Sequence, residues 1–179
     1  INDLNTELVV ALEVVKTEPE RVIKKLRAFE QQYHDANVFD KEKNYYILRD
    51  VRNQVREHGN QALVAQRLIA LNKTGFNGLY RVNKRGEFNV PWGKYVKPGT
   101  PTICDAENLR ACSLALANTA IRNVDFRAVL EQEAEKGHLV YADPPYVPAS
   151  ATANFTGYQA GGFGLQDQED LAKALRKLH

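Results

Sequence analysis

Residues 143–146, Asp-Pro-Pro-Tyr, follow directly on a short apolar run, "HLVYA" at 138–142. A run of this kind reads as a central strand of a parallel sheet. Two prolines end it, because neither has an N–H to give to a ladder. A rigid, acid-bearing turn is therefore held at the C-terminal end of a strand, where open α/β sheets bind their ligands. The Asp143 carboxylate and the Pro144 carbonyl present acceptors to the same crevice. Two converging acceptors can take both hydrogens of an exocyclic amine and favour a tetrahedral nitrogen, whose lone pair then attacks an electrophile. The Tyr146 ring offers a face for stacking a planar base, worth roughly 1–3 kcal/mol. This chemistry needs no covalent intermediate and no metal. The competing reading of the same residues is plain strand punctuation.

Other chemistries are poorly served. The chain has no Gly-x-Ser-x-Gly and no Walker loop, and neither of its two serines, Ser113 and Ser150, has a plausible histidine partner. Cys104 and Cys112 fall on what reads as one short helix, with no matching cysteines or ligand-spaced histidines. That pattern argues against a disulfide framework or a zinc site and suits a reducing, cytoplasmic setting. An apolar share of 44% and a charged share of 26% are ordinary for a soluble domain. No apolar run approaches membrane-spanning length, and no signal peptide opens the chain.

The elements that must position the turn fall into two groups. From Asn2 to Lys16 an acid-bearing turn leads into a helix with Leu8, Leu12 and Val15 on one face. "TEPERVIKKLRAFEQQY" restarts a helix with Pro19 in its first turn. Residues 42–57 (Tyr46, Val51, Val55) and 60–72 (Leu63, Leu68, Leu71) repeat the helical period. Helices without strands make a bundle, expected here as an insertion. After a long irregular segment, residues 105–118 read as a helix, "TAIRNVDF" as a strand ending in Asp125-Phe126, 127–136 as a helix, and 138–142 as the strand before Asp143. Alternating strand and helix implies a parallel sheet.

The irregular segment carries its own signal. Its "VNKRGEF" centre resembles a hairpin turn, and loops of this length in compact proteins are more often functional than passive. Between positions 73 and 97, Lys73, Arg81, Lys84, Arg85, Lys94 and Lys97 face a single acid, Glu87. That segment is +5 and the remainder −3, inside a chain of net charge +2. Such a concentrated patch is an electrostatic footprint for a polyanion. Two features concern completeness. The opening "INDLN" reads as the end of a strand and the closing "ALRKLH" as mid-helix, and the chain contains no methionine. A piece of a longer protein, or one with segments left out, is expected.

At this point the residues resemble a known family. Asp143-Pro144-Pro145-Tyr146 matches the catalytic motif of S-adenosylmethionine-dependent amino-methyltransferases acting on N6 of adenine. "LNKTGFNGLYRVNKRGEFNVPWGKY", together with "SATANFTGYQAGGF" after the motif, looks like the Dam-type DNA adenine methyltransferases that modify GATC. The likeness extends over essentially the whole chain and is most specific at 71–95.

The resemblance implies an α/β fold: a Rossmann-like methyltransferase sheet with an inserted helical DNA-recognition domain carrying a hairpin loop. The catalytic domain would comprise 1–8 and 101–179, and the target-recognition domain 9–100. The family's first strand with its Gly-rich turn, and its final strands, are absent from the chain as given. S-adenosylmethionine is the implied cofactor, with Asp3 at the position that bonds its ribose, Asp125 and Phe126 at the pair that grips its adenine, and Asp143 facing the methyl donor. Duplex DNA is the implied partner, and a monomer without metal or membrane contact suffices. Tyr146, Phe155, Tyr158 and Phe163 would form the pocket for a flipped adenine. Phe76 would insert at the vacated step, with Asn77 beside it. Leu79 and Pro91 would touch base edges, Arg81 would read a guanine, and Lys73 and Lys94 would hold phosphates.

Each assignment has a plainer rival. Asp3 could cap the following helix, and Phe126 could be core. Phe76, Tyr80, Phe88 and Trp92 could form a satellite hydrophobic cluster, and Arg81 and Lys94 could be solvated surface charges. Two other functions use the same residues: an RNA adenine methyltransferase, which prefers RNA or single strands, and a non-catalytic DNA-binding remnant, which consumes no cofactor.

Overall fold

Asn5 converts the first extended residues into a helix. Its side-chain oxygen accepts from the N–H groups of Glu7 and Leu8 at 3.1 and 3.3 Å, capping α1 (Thr6–Thr17). Pro19 then starts α2 (Pro19–Asp35) at the position where its missing N–H costs nothing. The computed structural model describes residues 1–54, 60–95, 101–135, 137–145 and 163–178. Its remaining helices are α3 (Val38–Gln54), α4 (Gln61–Thr74), α5 (Ala106–Leu116), α6 (Phe126–Gln132) and α7 (Leu165–Lys177).

The helical bundle expected before residue 73 is present. Its main core joins Ala11, Val14 and Val15 of α1, Val22, Ile23, Leu26 and Tyr33 of α2, and Ala62, Ala65 and Ala70 of α4. The small alanines of α4 let its neighbours approach closely, so the expected Leu63–Leu68–Leu71 stripe is only part of the buried face. Ile103 and Cys104 complete the same core from just before α5, and Cys104 precedes the Asp105 N-cap instead of lying on that helix. Both cysteines are unpaired thiols, and burial pushes the Cys104 thiol up from its ordinary range.

Of the expected Tyr46–Val51–Val55 stripe on α3, Tyr46 packs half-buried against the core, Val51 is exposed and Val55 lies outside the described residues. Tyr45 and Arg52 are the buried residues beside them, and Leu48 packs with Tyr46 on the cluster that holds Tyr45. The apolar period misleads here because Arg52 is neutralised by Glu7, which lets a charged residue take a core position.

The expected parallel pairing appears at the chain's start. Asn2 and Arg122 form a parallel bridge, with the Arg122 N–H donating to the Ile1 carbonyl at 2.9 Å and the Asp3 N–H to the Arg122 carbonyl at 3.2 Å. Asn2 extends it, its side chain donating to Val124 O and accepting from Val124 N. Thus Asp3 and Asp125-Phe126 leave a shared edge side by side. Residues 138–142 depart from expectation, because they are not in a ladder, and Leu139 and Tyr141 are 97% and 88% exposed. An apolar run becomes a strand only when a neighbouring strand takes up its N–H and C=O groups; the His138 N–H turns back to the Glu135 carbonyl at 3.0 Å, and no described residue pairs with 139–142. The expected helix at 127–136 is also shorter, ending at Gln132.

Burial holds the phenols of Tyr33, Tyr45 and Tyr80 above their ordinary value near 10. A proton-bearing form favoured by folding contributes stability that is fully present below the unfolded value and is lost as pH rises through the folded one. The bundle is therefore expected to lose stability progressively above about pH 10. Urea melts at pH 8, 10 and 11 check this, and Tyr45→Phe should flatten the alkaline limb. An unchanged midpoint at pH 11 would contradict it.

Candidate functional site

The basic segment is built on α4. Gly75 follows that helix, and a Cβ there would sit 2.6 Å from the Leu71 carbonyl oxygen, so only glycine lets the chain turn so tightly. Phe76–Gly78 then form one 3₁₀ turn with Asn77 at φ 53°, braced by the Asn72 side chain donating to the Gly78 carbonyl. The second limb is clamped to this turn by the Gly75–Trp92 antiparallel bridge and the Phe76 N–H bond to Pro91 O at 2.9 Å. The "VNKRGEF" hairpin forms as expected. Val82 bridges Phe88, Asn83 N–H donates to Glu87 O at 2.9 Å, and Gly86 takes φ 74° in the turn.

Beneath the loop, Phe88, Val90 and Trp92 pack with Tyr45 and Leu71, with Tyr80 against them, and the Trp92 indole N–H donates to Tyr33 Oη at 2.8 Å. Tyr80, Phe88 and Trp92 are thus the satellite cluster. Phe76 is not part of it: Phe76 and Leu79 stay exposed at 47% and 48%, together with Asn77, Arg81, Pro91, Lys73 and Lys94. Exposed aromatic, aliphatic and basic side chains on a frame pinned from below suit a surface that grips another molecule. Arg81 is also held in place, its Nε donating to Asn89 Oδ1 at 2.8 Å and Nη2 to Asn89 O at 3.2 Å. Two non-glycine residues with positive φ, Asn77 and Lys94, lie on opposite limbs, and such backbone strain concentrates at functional sites.

The second region is a cleft of about 750 Å³ at the ends of the paired segments, within the size range of small-molecule sites. Ile1–Leu4, Asp125, Phe126, Asp143–Pro145 and Phe163 line it. Asp3 accepts from the Asn5 N–H at 2.7 Å and is not the cap of α1, a role taken by Asn5. Asp125 caps α6 through the Arg127 N–H at 2.8 Å. The Phe126 ring packs on Phe163 with centroids 5.8 Å apart. Five carboxylates line the cleft, Asp3, Asp125, Glu133, Asp143 and Asp167, of which Glu133 pairs with Arg122 and Asp125 and Asp167 with Arg127. With the paired aromatic they fit a cationic nucleoside: acceptors for hydroxyl and amine groups, an apolar face for a base, and negative charge for a sulfonium. The cleft therefore brings together Asp3, Asp125, Phe126, Asp143, Pro144, Pro145 and Phe163. Tyr146, Phe155 and Tyr158 lie outside the described residues, as does Lys97.

Sequence reasoning missed two groups. Arg127 gathers Asp125, Asp167 and Asp170, whose carboxyls at 167 and 170 it holds below the usual carboxylate range. Arg52 joins Glu7 to the hairpin. The acids three apart on α7 were a signal for a docked cation; nothing local marked the second group.

The chain matches the family model for D12 class N6 adenine-specific DNA methyltransferase over residues 1–179. It is 38% identical over 178 residues to the Type II methyltransferase M.MjaIII of Methanocaldococcus jannaschii, covering 99% of this chain and 60% of that protein. It is 35% identical over 176 residues to a DNA adenine methylase of Serratia marcescens, covering 98% and 60%. The corresponding match to the DNA adenine methylase of Escherichia coli is 35% over 172 residues, covering 96% and 57%. The chain thus spans about 60% of the length of these relatives.

Proposed function

The chain belongs to the D12 class N6 adenine-specific DNA methyltransferase family, and on that premise we propose that the protein containing it methylates N6 of adenine in duplex DNA, within GATC. The single observation that carries this reading is the cleft that collects Asp3, Asp125, Phe126 and the Asp143–Pro145 turn.

S-adenosylmethionine, when bound, supplies an electrophilic methyl group. Asp3 would accept from its ribose hydroxyls, Asp125 from its adenine amine, and Phe126 would cover the adenine face. The target nitrogen is inaccessible in a stacked pair, so the base is flipped into the protein. Asp143 and the Pro144 carbonyl then accept the two hydrogens of the amine and aim its lone pair, with Tyr146 stacked on the base and Phe155, Tyr158 and Phe163 closing the pocket. Orientation of amine and methyl donor supplies much of the acceleration. The division into a catalytic part (1–8 and 101–179) and a recognition part (9–100) is one of roles, since Ile103 and Cys104 share the core of α1, α2 and α4. One such unit acts on one strand of a palindrome, so a monomer suffices.

Phe76 would fill the vacated step beside Asn77, Leu79 and Pro91 would touch base edges, Arg81 would pair with guanine, and Lys73 and Lys94 would hold phosphates. The test uses the full-length protein, the cofactor, and duplexes carrying GATC or its singly substituted variants across a salt series. Arg81→Ala should relax choice at one base position by roughly 1–3 kcal/mol and leave the others selective. Lys94→Ala should weaken binding to every duplex equally and make the salt dependence shallower by about one counterion. Absence of N6-methyladenine in GATC duplexes, or methylation confined to RNA or single strands, would remove the proposal. A uniform loss with Arg81→Ala would make that residue a phosphate clamp.

A further inference from the structure

Of the three carboxylates on Arg127, Asp167 and Asp170 have no part in the reaction described above, yet through Arg127 they are tied to Asp125, which has one. Arg127 follows Asp125-Phe126 directly. Its Nε and Nη2 donate to Asp170 Oδ2 at 3.0 and 2.7 Å, Nη2 also to Asp167 Oδ1 at 2.7 Å, and Nη1 to the Asp125 carboxylate at 3.1 and 3.3 Å. One guanidinium thereby fastens the start of α6 to the first turns of α7.

The same helix reaches the catalytic turn. Gln168 lies between Asp167 and Asp170, rotated off their face, and its Nε2 donates to the Pro145 carbonyl at 2.7 Å. Among the described residues this is the one hydrogen bond that reaches residues 139–145, which are in no ladder. Two prolines stiffen the turn, but stiffness does not fix where the turn sits. A donor on the Pro145 carbonyl holds the peptide plane after the second ring and, because that ring locks φ, narrows the directions open to the Pro144 carbonyl one residue back.

We propose that α7 registers the catalytic turn against the cofactor segment, with Gln168 a positioning residue for the Asp143–Pro144 acceptor pair and Arg127 the anchor of the helix. This rests on the methyltransferase reading. Misplacing reacting groups by about 1 Å costs on the order of a hundredfold in rate, so a single well-placed amide has leverage here.

The experiment compares full-length wild type, Gln168→Met, Gln168→Lys and Arg127→Gln. Methionine keeps the length and the apolar stem and removes the donor, whereas lysine restores a donor at similar reach. Single-turnover methyl transfer to a GATC duplex should fall roughly ten- to a hundredfold in Gln168→Met, with cofactor Kd, duplex Kd and Tm unchanged, and recover in part in Gln168→Lys. Arg127→Gln should slow transfer and also weaken S-adenosylmethionine binding by titration calorimetry, because Asp125 loses its partner along with α7. A wild-type rate in Gln168→Met overturns this inference and leaves the proposed function standing. Equal losses of Tm, both affinities and rate in Gln168→Met and Gln168→Lys alike would mark a merely structural contact and overturn it too. A wild-type protein that transfers no methyl group overturns the proposed function and this inference with it.

Discussion

Asp143→Ala in the full-length protein is expected to lower the rate of methyl transfer by at least about 10²–10³-fold while leaving duplex affinity within a factor of two or so. Asp143 is exposed in the cleft, and the exposed residues that would grip DNA all lie between positions 73 and 94. Removing the carboxylate leaves the amine one backbone acceptor, the Pro144 carbonyl, and loses the charge that favours the developing cationic nitrogen. Asp143→Asn is the sharper variant. It retains shape and one acceptor oxygen but no charge, so it should fall between wild type and alanine if charge matters beyond hydrogen bonding. Single-turnover rates and duplex titrations on the same preparations separate the two readouts. Near-normal turnover in Asp143→Ala would sink the mechanism, and a parallel loss of DNA affinity would mean that the turn and the reading segment are one surface.

Local rules made part of this protein legible. Pro19 marked a helix start and "VNKRGEF" marked a hairpin because glycine, proline and asparagine act through their own backbone preferences, and the structure has both features in place. The cleft was legible only in part: Asp3 and Asp125 were seen at the ends of extended segments, their roles were implied by the family resemblance, and the parallel bridge sets those segments side by side. What failed depended on partners far along the chain. The run at 138–142 has the composition of a buried strand, but strand formation is a property of a pair, and composition cannot report whether a neighbour is present. Nothing in the sequence singled out Arg52 as a core residue, because its neutralising carboxylate lies on a different helix, 45 positions earlier. Gln168 was invisible for the same reason: its acceptor is a backbone carbonyl 23 residues away. Cys104 was placed on a helix that begins two residues later, after the Asp105 cap.

The buried ion pair should carry the largest stability effect in the molecule. Arg52 and Glu7 side chains are 7% and 14% exposed and meet through two bonds, Nη2 to Oε2 at 2.6 Å and Nε to Oε2 at 3.0 Å. Arg52 also donates to the Gly86 carbonyl at 3.1 Å, to Asn53 Oδ1 at 2.9 Å and to Tyr80 Oη at 3.2 Å, and lies 5.8 Å from the Phe88 ring centroid. Beside it, the Asn53 amide pairs with the backbone of Phe88 in both directions, at 2.8 and 3.1 Å. These bonds seat the hairpin on α3, and Glu7 ties both to the helix that follows Asp3. Glu7→Ala leaves a guanidinium buried without its counter-charge, which costs about 3–5 kcal/mol, a large fraction of the 5–15 kcal/mol typical of a whole domain. Replacing both partners removes the uncompensated charge, so Glu7→Gln with Arg52→Met should lie much closer to wild type than Glu7→Ala does. Urea denaturation of the wild type, Glu7→Gln, Arg52→Met and the double variant closes the cycle, with Glu7→Ala measured beside them. Because the hairpin carries Arg81, the single variants should also lose selectivity between GATC and substituted duplexes before they lose the bundle's helical signal. A Glu7→Ala protein within about 0.5 kcal/mol of wild type would show that Arg52 finds enough acceptors in Gly86, Asn53 and Tyr80 alone, and that the hairpin does not depend on α1 for its seat.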